Sequence, residues 1–380
     1  MRHLKSSLLA LAASLAVVAC GGGSSADTTP RTAITSVKVF GDSLADSGTF
    51  SAALGFSKFT VQDGQVYPER VAASYGITAL CNFYVFTGTT FAANSKAGCT
   101  NFAIGGGVIN GASSGLSAAD PRGIQVQLAT AGTLGFSATD LAVIDGGGND
   151  AAALLTAFSQ AQAGSATPLY TLLTSLLPAS DVATALAGGA STTAAIGGAY
   201  MKALADAFAN SVTTNVLGKG ATHVVILNLP AVTKTPQFQK ILGAMTPTAA
   251  AQAEGLFQQW FAAYNAELAA KFASEDRVVV VDFYNAFLDQ VANPAQYGIT
   301  TEGAQGVFTE LCPAADSTDP ATAYAGWRAC TAANLSAASG HSSPDWWKNY
   351  AFANQFHPTP YGHQLVAQLI SKSLSIKGWL

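Results

Sequence analysis

The sequence predicts an α/β fold, a three-layer α/β/α sandwich on a central, mainly parallel sheet. Three observations carry that expectation. Short Val- and Ile-rich runs recur along the chain, helical stretches separate them, and each run is bounded by Gly, Asp, Asn or Pro. Such runs read as strands buried on both faces, and strands alternating with helices pair in parallel beneath helices on each side.

Four segments read as strands: 36–40, 141–145, 223–228 and 277–283. The clearest helix spans 248–272, with an apolar face through Leu256, Trp260, Tyr264 and Leu268, and a terminal helix spans 361–376. Ala, Gly, Ser, Thr and Leu dominate 151–198. The Leu spacing there predicts small-residue helices in a cap or insertion beside the site, around 151–218; the alternative is a low-complexity linker.

With 49% hydrophobic and 11% charged residues, the 380-residue chain can bury a substantial core. Its net charge of -4 and its lack of any Lys/Arg cluster exclude nucleic acid as an expected partner.

The first residues read as a targeting segment. Arg2, His3 and Lys5 precede an apolar run, Leu8 to Val18, that is too short to span a bilayer comfortably. It ends in Val17-Val18-Ala19-Cys20, which resembles a bacterial lipoprotein signal, cut before a cysteine that then carries lipid. The alternative is an ordinary secretory signal in which Cys20 is incidental. The Gly-Gly-Gly-Ser-Ser tether after Cys20 favours lipidation. The expected organisation is a signal over 1–19, a flexible tether over 20–34 and one domain over 35–380. The protein is expected to leave the cytoplasm, either anchored to the bacterial envelope (the outer membrane) through its lipid or secreted.

Cys81, Cys99, Cys312 and Cys330 allow three pairings. Loop closure favours Cys81–Cys99 and Cys312–Cys330, each worth about 3 kcal/mol. Metal binding is the alternative, but no CxxC or Cys/His spacing supports it.

Four segments carry chemistry. Gly41-Asp42-Ser43-Leu44 puts a serine at a strand's end, expected to open a turn into a helix, where its hydroxyl projects over the sheet edge. A serine is a weak nucleophile until a neighbouring base takes its proton; the competing reading is a helix N-cap. The glycine run Gly105-Gly106-Gly107 after Asn101-Phe102-Ala103-Ile104 exposes backbone N–H groups suited to an oxyanion, or is simply a tight loop. It lacks the spacing of a nucleotide-binding loop. Gly146-Gly147-Gly148-Asn149-Asp150 offers the Asn149 amide as a further donor, or a glycine turn with a helix cap. His357, bracketed by Pro358 and Pro360, is held outside regular structure; alone it reads as a surface histidine.

In combination these segments resemble the GDSL, or SGNH, family of serine esterases and lipases, whose fold is a flavodoxin-like sandwich. The family's four groups match Ser43, Gly106 (with Gly105 or Gly107 as alternative registers), Asn149 and His357 in order, and Asp46 and Ser47 also fit its first block. The resemblance covers 36 to the C-terminus. It implies that Ser43 attacks an ester carbonyl and His357 is general base. The Ser43 and Gly106 N–H groups and the Asn149 amide would hold the oxyanion, with no metal or cofactor. An ester of a lipid, short acyl group or acylated glycan is the implied substrate.

One departure stands out. The family's acid lies three residues before the histidine, where this chain has Asn354. An amide carbonyl can accept from the imidazole but brings no charge, and its NH₂ can donate and favour the wrong tautomer. Three expectations follow: Asn354 orients His357 in a weaker enzyme, another carboxylate such as Asp345 reaches the ring, or the chain is a crippled variant that binds acylated lipids or glycans. Trp346 and Trp347 are candidates to line an acyl or sugar pocket, with the apolar 151–200 stretch as a lipid-facing lip; both tryptophans are equally core candidates.

Overall fold

The computed structural model describes residues 33–380; the signal segment and Cys20 lie outside the described residues, as does nearly all of the tether. Six strands are described: β1 (Ser36–Phe40), β2 (Tyr84–Phe86), β3 (Phe91–Ala93), β4 (Asp140–Ile144), β5 (His223–Leu227) and β6 (Val278–Val281). Four of them form a wholly parallel sheet in the order β1-β4-β5-β6, and β2 and β3 form a separate antiparallel pair. The outer edge of β1 is covered by the chain entering the glycine run. Val39 N–H donates to the Thr100 carbonyl at 3.0 Å, and Phe102 N–H donates to the Val39 carbonyl at 2.7 Å.

Alternation along the strands builds the layers, because successive side chains point to opposite faces. Phe40, Ala142, Ile144, Val224 and Ile226 enter one buried cluster. It is shared with helices Ile124–Leu134, Gly148–Gln162, Ala190–Asn215 and Pro247–Phe272. Val37, Val39, Leu141, Val143, Val225 and Leu227 enter a second, shared with helices Tyr67–Ser74 and Pro360–Lys377. The three-layer α/β/α sandwich is therefore present, with apolar residues on both faces of every central strand.

The expected helices run Pro247–Phe272 and Pro360–Lys377. The second starts where Thr359 Oγ1 accepts from Tyr361 and Gly362 N–H at 3.2 and 3.1 Å, a side-chain N-cap. The Ala-rich stretch is helical, as Gly148–Gln162, Thr167–Thr174, Ala179–Ala187 and Ala190–Asn215. Its Leu154, Leu173, Val182 and Tyr200 are buried in the same cluster as Ile144, so it packs as core and is not a linker.

Two disulfides join Cys81 to Cys99 and Cys312 to Cys330. The first closes the segment bearing the β2–β3 hairpin. The second pins helix Pro320–Ala329 to the preceding loop, and Leu311 and Cys312 N–H groups donate to Phe352 and Ala353 carbonyls at 3.3 and 2.7 Å. Among the described residues no helix is long and apolar enough to cross a membrane.

Candidate active site

The register aligns the carboxyl ends of the strands: Phe40 pairs with Ile144 and Ile144 with Ile226. Ligands of open parallel sheets bind beyond such an edge. Gly41-Asp42-Ser43 leaves β1 there, and Asp145 to Asn149 leaves β4 beside it.

Ser43 sits in a turn, not at the start of a helix as expected; the Ala45 and Asp46 N–H groups both donate to the Asp42 carbonyl, at 3.2 and 3.1 Å. The next helix is the four-residue Ser51–Leu54, so the helix N-cap reading falls as well. Gly41 is required here. It has φ of +151°, and a Cβ on it would lie 1.6 Å from Asp145 Oδ1. Into that space Asp145 brings its carboxyl, accepting from Asp42 N–H at 3.0 Å and from the Tyr67 hydroxyl at 2.9 Å. From the other side the buried Gln127 amide pairs with both backbone groups of Gly41, at 2.9 and 3.0 Å. The turn presenting Ser43 is thus held on two sides by side chains that sequence reasoning missed.

The histidine loop meets this turn. His357 Nε2 lies 2.7 Å from Ser43 Oγ, and His357 Nδ1 lies 3.0 Å from Asn354 Oδ1. Asn354 Oδ1 also accepts from Phe356 and His357 main-chain N–H groups, at 3.1 and 2.8 Å. Those two donors fix the amide with its oxygen toward the ring, since an NH₂ group cannot accept. Nδ1 is then the protonated nitrogen, and the Nε2 lone pair faces the serine. The expected difficulty over tautomer does not arise; the absence of charge does. Asp345 is a correction: it is exposed and pairs with Lys348 at 2.8 Å, while both ring nitrogens of His357 are already engaged by Ser43 and Asn354.

Aromatic rings surround the imidazole. Phe59 stacks on it at 5.1 Å, and Trp327 and Phe356 meet it edge-on at 5.5 and 5.7 Å. Burial among them pushes its pKa down to about 3; the solvent contact that this part-buried residue keeps moderates the shift. Neutral imidazole is the form present near neutral pH.

Three candidate donors, the Ser43 and Gly106 N–H groups and the Asn149 amide, lie on the segments that meet at Gly41-Asp42-Ser43, where Ile104 N–H donates to the Gly41 carbonyl at 3.2 Å. Among the described residues, the Ser43 and Gly106 N–H groups make no hydrogen bond. Their neighbours are committed: Gly105 N–H donates to Asp46 Oδ2 at 2.9 Å and Gly107 N–H to the Ile104 carbonyl at 3.0 Å. Gly106 is exposed with φ of +77°, a left-handed conformation that glycine adopts without penalty. This selects Gly106 as the register with a free donor. Asn149 Nδ2 donates to the Gly107 carbonyl at 2.9 Å and approaches Asp42 Oδ2 at only 3.4 Å, so its second N–H is weakly held.

The carboxyls beneath are anchors. Asp46 also accepts from Gly48 and Thr49 N–H groups, both at 2.9 Å. Asp150 accepts from Ile109 and Asn110 at 2.9 and 2.8 Å. Burial pushes Asp150 up to about 6. Burial, with a smaller push from the Asp150 charge, takes Asp42 up to about 6 as well, and burial beside Asp42 raises Asp145 well above the usual carboxylate range.

Trp346 and Trp347 do not line this region. Their indole N–H groups donate to the Leu335 carbonyl and Ser336 Oγ, at 2.7 and 3.1 Å, within the cluster around Cys312–Cys330. Among the described residues, no group of three or more His, Cys, Asp or Glu side chains is placed to hold a metal ion.

A neutral imidazole lone pair 2.7 Å from a hydroxyl, beside two free N–H donors, is an arrangement able to activate a serine and receive an oxyanion. Comparison with curated proteins returned no match. The family model for GDSL-like Lipase/Acylhydrolase matches residues 37–370, from within β1 into the last helix and through every segment just described. The chain belongs to the GDSL-like lipase/acylhydrolase family, whose chemistry is the hydrolysis of acyl esters.

Proposed function

We propose that the chain is a carboxylester hydrolase that works through an acyl-enzyme on Ser43. The observation that carries this reading is the relay from Ser43 Oγ to His357 Nε2, with Nδ1 held by Asn354. Ser43 Oγ attacks the ester carbonyl as His357 takes its proton. The oxyanion accepts from the Ser43 and Gly106 N–H groups and from the Asn149 amide. Collapse of the tetrahedral adduct breaks the ester C–O bond, and His357 returns the proton to the departing alcohol. Water, deprotonated by His357, then attacks the acyl-enzyme and releases the acid. With no carboxylate on Nδ1, the imidazolium formed in each half-reaction has a dipole in place of a counter-charge, and turnover is correspondingly slow.

The two disulfides fit an oxidising compartment outside the cytoplasm. Export under the N-terminal signal, with lipid on Cys20 holding the domain at the bacterial envelope, completes the proposal.

A fluorophosphonate probe tests it. We expect a covalent adduct on Ser43, read by peptide mass mapping, and none in Ser43→Ala. No adduct on the wild-type chain at high probe excess would sink the nucleophile assignment. The reading then left is an envelope lipoprotein that binds acylated lipids or glycans without turnover, which Asn354 favours over the usual acid.

A further inference from the structure

A cavity of about 70 Å³ lies against the carboxyl edge of the sheet. Each of three site segments gives it wall residues: Asp42 and Leu44 flank Ser43, Gly148 precedes Asn149, and Phe356 and Pro358 flank His357. Its wall also takes in Pro230 and Val232 after β5, Phe287 and Val291 of helix Phe283–Ala292, and Val307. From β1 to the outermost strand, β6, is three inter-strand steps, about 14 Å.

Of the polar side chains on its wall, Asn228, Thr235, Asp42 and Asp145 are turned into the protein, and Gln290 is the exception. Asn228 donates to Asp282 Oδ1 at 3.2 Å and accepts from Tyr284 N–H at 2.9 Å, and Thr235 Oγ1 donates to the Val232 carbonyl at 2.8 Å. Asp42 Oδ1 accepts from Leu44 N–H at 3.0 Å, and Asp145 is held by Tyr67 and by Asp42 N–H. What remains facing the space is hydrocarbon and aromatic surface apart from the amide of buried Gln290, and a charged or sugar-like ligand would leave most of its own polar groups unpaired there.

We propose that this cavity holds the acyl chain of the substrate, and that the preferred substrates are esters of medium-length aliphatic acids. The inference rests on the Ser43 reading above. During turnover the alcohol departs with the proton from His357, while the acyl group stays bonded to Ser43 Oγ. An apolar space walled by the neighbours of Ser43, Asn149 and His357 suits the part that stays. Its size sets the length. At about 70 Å³ it has about half the volume of a cavity of about 150 Å³ that takes benzene, so it encloses about three methylene-sized groups, and the rest of a hexanoyl or octanoyl chain lies along its mouth. Neither the Ala-rich helices, apart from Gly148 at the start of the first, nor Trp346 and Trp347 contribute to its wall.

The test uses the purified full chain and p-nitrophenyl esters from acetate to palmitate. We expect kcat/KM to rise by about fourfold for each buried methylene, to peak at hexanoate or octanoate, and to fall for palmitate. Val291→Trp and Val307→Trp, at partly exposed positions with room for a larger ring, lower the hexanoate-to-acetate ratio by about tenfold or more. A Ser43 adduct with a profile that is flat, or that the tryptophans leave unmoved, overturns the acyl cavity and leaves the nucleophile standing. A second arm needs no turnover: calorimetry with sodium octanoate on Ser43→Ala. Binding that is lost when Val291→Trp is added supports the cavity even if the probe fails to label Ser43. No heat of binding at millimolar octanoate overturns it.

Discussion

Beneath Ser43 and Asn149 the protein buries four carboxyl groups, Asp42, Asp46, Asp145 and Asp150, each accepting backbone N–H bonds. Around His357 it sets Phe59, Trp327 and Phe356, and no carboxylate touches the ring. Asp316 accepts from the Gln355 N–H at 3.1 Å and so braces the histidine loop without touching the ring. The difference separates two jobs that acids do in such sites. On the serine side they fix main chain so that N–H donors stay free and aimed. On the histidine side an amide holds Nδ1, and under the proposed mechanism the electrostatic job of the usual acid is left undone.

The largest expected effect tests the serine side. Asn149→Ala removes one of the three proposed oxyanion donors and should lower kcat by about 10²–10³ with little change in KM. An unchanged kcat would mean that the Asn149 amide serves only to tie Gly107 to the turn.

Asn354→Asp sharpens the histidine side. In a serine protease triad, changing the Asp to Asn costs about 10⁴ in kcat by installing the wrong tautomer. Here two backbone donors already fix the right one. Only the missing charge is restored, a charge-assisted hydrogen bond of about 1.5–3 kcal/mol. We therefore expect kcat to rise by about 10- to 150-fold in steady-state ester assays. The carboxylate also favours imidazolium, so the acid limb of the pH profile should move to higher pH. No rise in kcat would show that the histidine side lacks nothing; a gain near 10⁴ would show that Asn354 holds the ring in the wrong tautomer.

The smallest effect compares the two sides through stability. Asp42 and Asp150, raised to about 6 in the fold against an ordinary 3.8, destabilise the native state near neutral pH, a cost relieved as pH falls from about 6 towards 4. Buried His363, lowered to about 3 from 6.5, acts the other way: its contribution is intact above 6.5 and is lost as pH falls towards 3. His363→Phe should therefore reduce the acid-side fall in stability by up to about 1.4 kcal/mol per pH unit, measured by urea unfolding between pH 6.5 and 4. An unaltered slope would show that His363 is protonated in the fold.

Much of this is legible in the residues, and the limits have physical causes. The four Val- and Ile-rich strands announce themselves because a strand buried on both faces has no polar alternation to hide it. The three-residue strands β2 and β3 and helix Ile124–Leu134 are too short or too evenly apolar to stand out. Ser43, Gly106, Asn149 and His357 can be named from order and spacing, but Gln127 and Tyr67 cannot. Each sits in an ordinary helical pattern and matters only because the fold carries it under Gly41 or Asp145. Asp145 is visible only as the end of a strand, although its place beneath a glycine is a signal that structure makes readable. The residues point to an acyl space near Trp346, Trp347 and the Ala-rich stretch, whereas the cavity draws its wall from segments scattered between 42 and 366, which no local pattern reveals.

The relay between Ser43 and His357 joins residues 314 positions apart. The turn bearing the hydroxyl is made at the first strand, yet the ring that addresses it arrives with the segment just before the last helix. Contacts of such separation are slow to form, because the loop-closure entropy of the intervening chain must be met first. Under the proposed roles, ester cleavage would be a readout of complete folding: a partly folded or C-terminally clipped molecule can keep its serine and its glycine loop and still lack the histidine proposed to set them working.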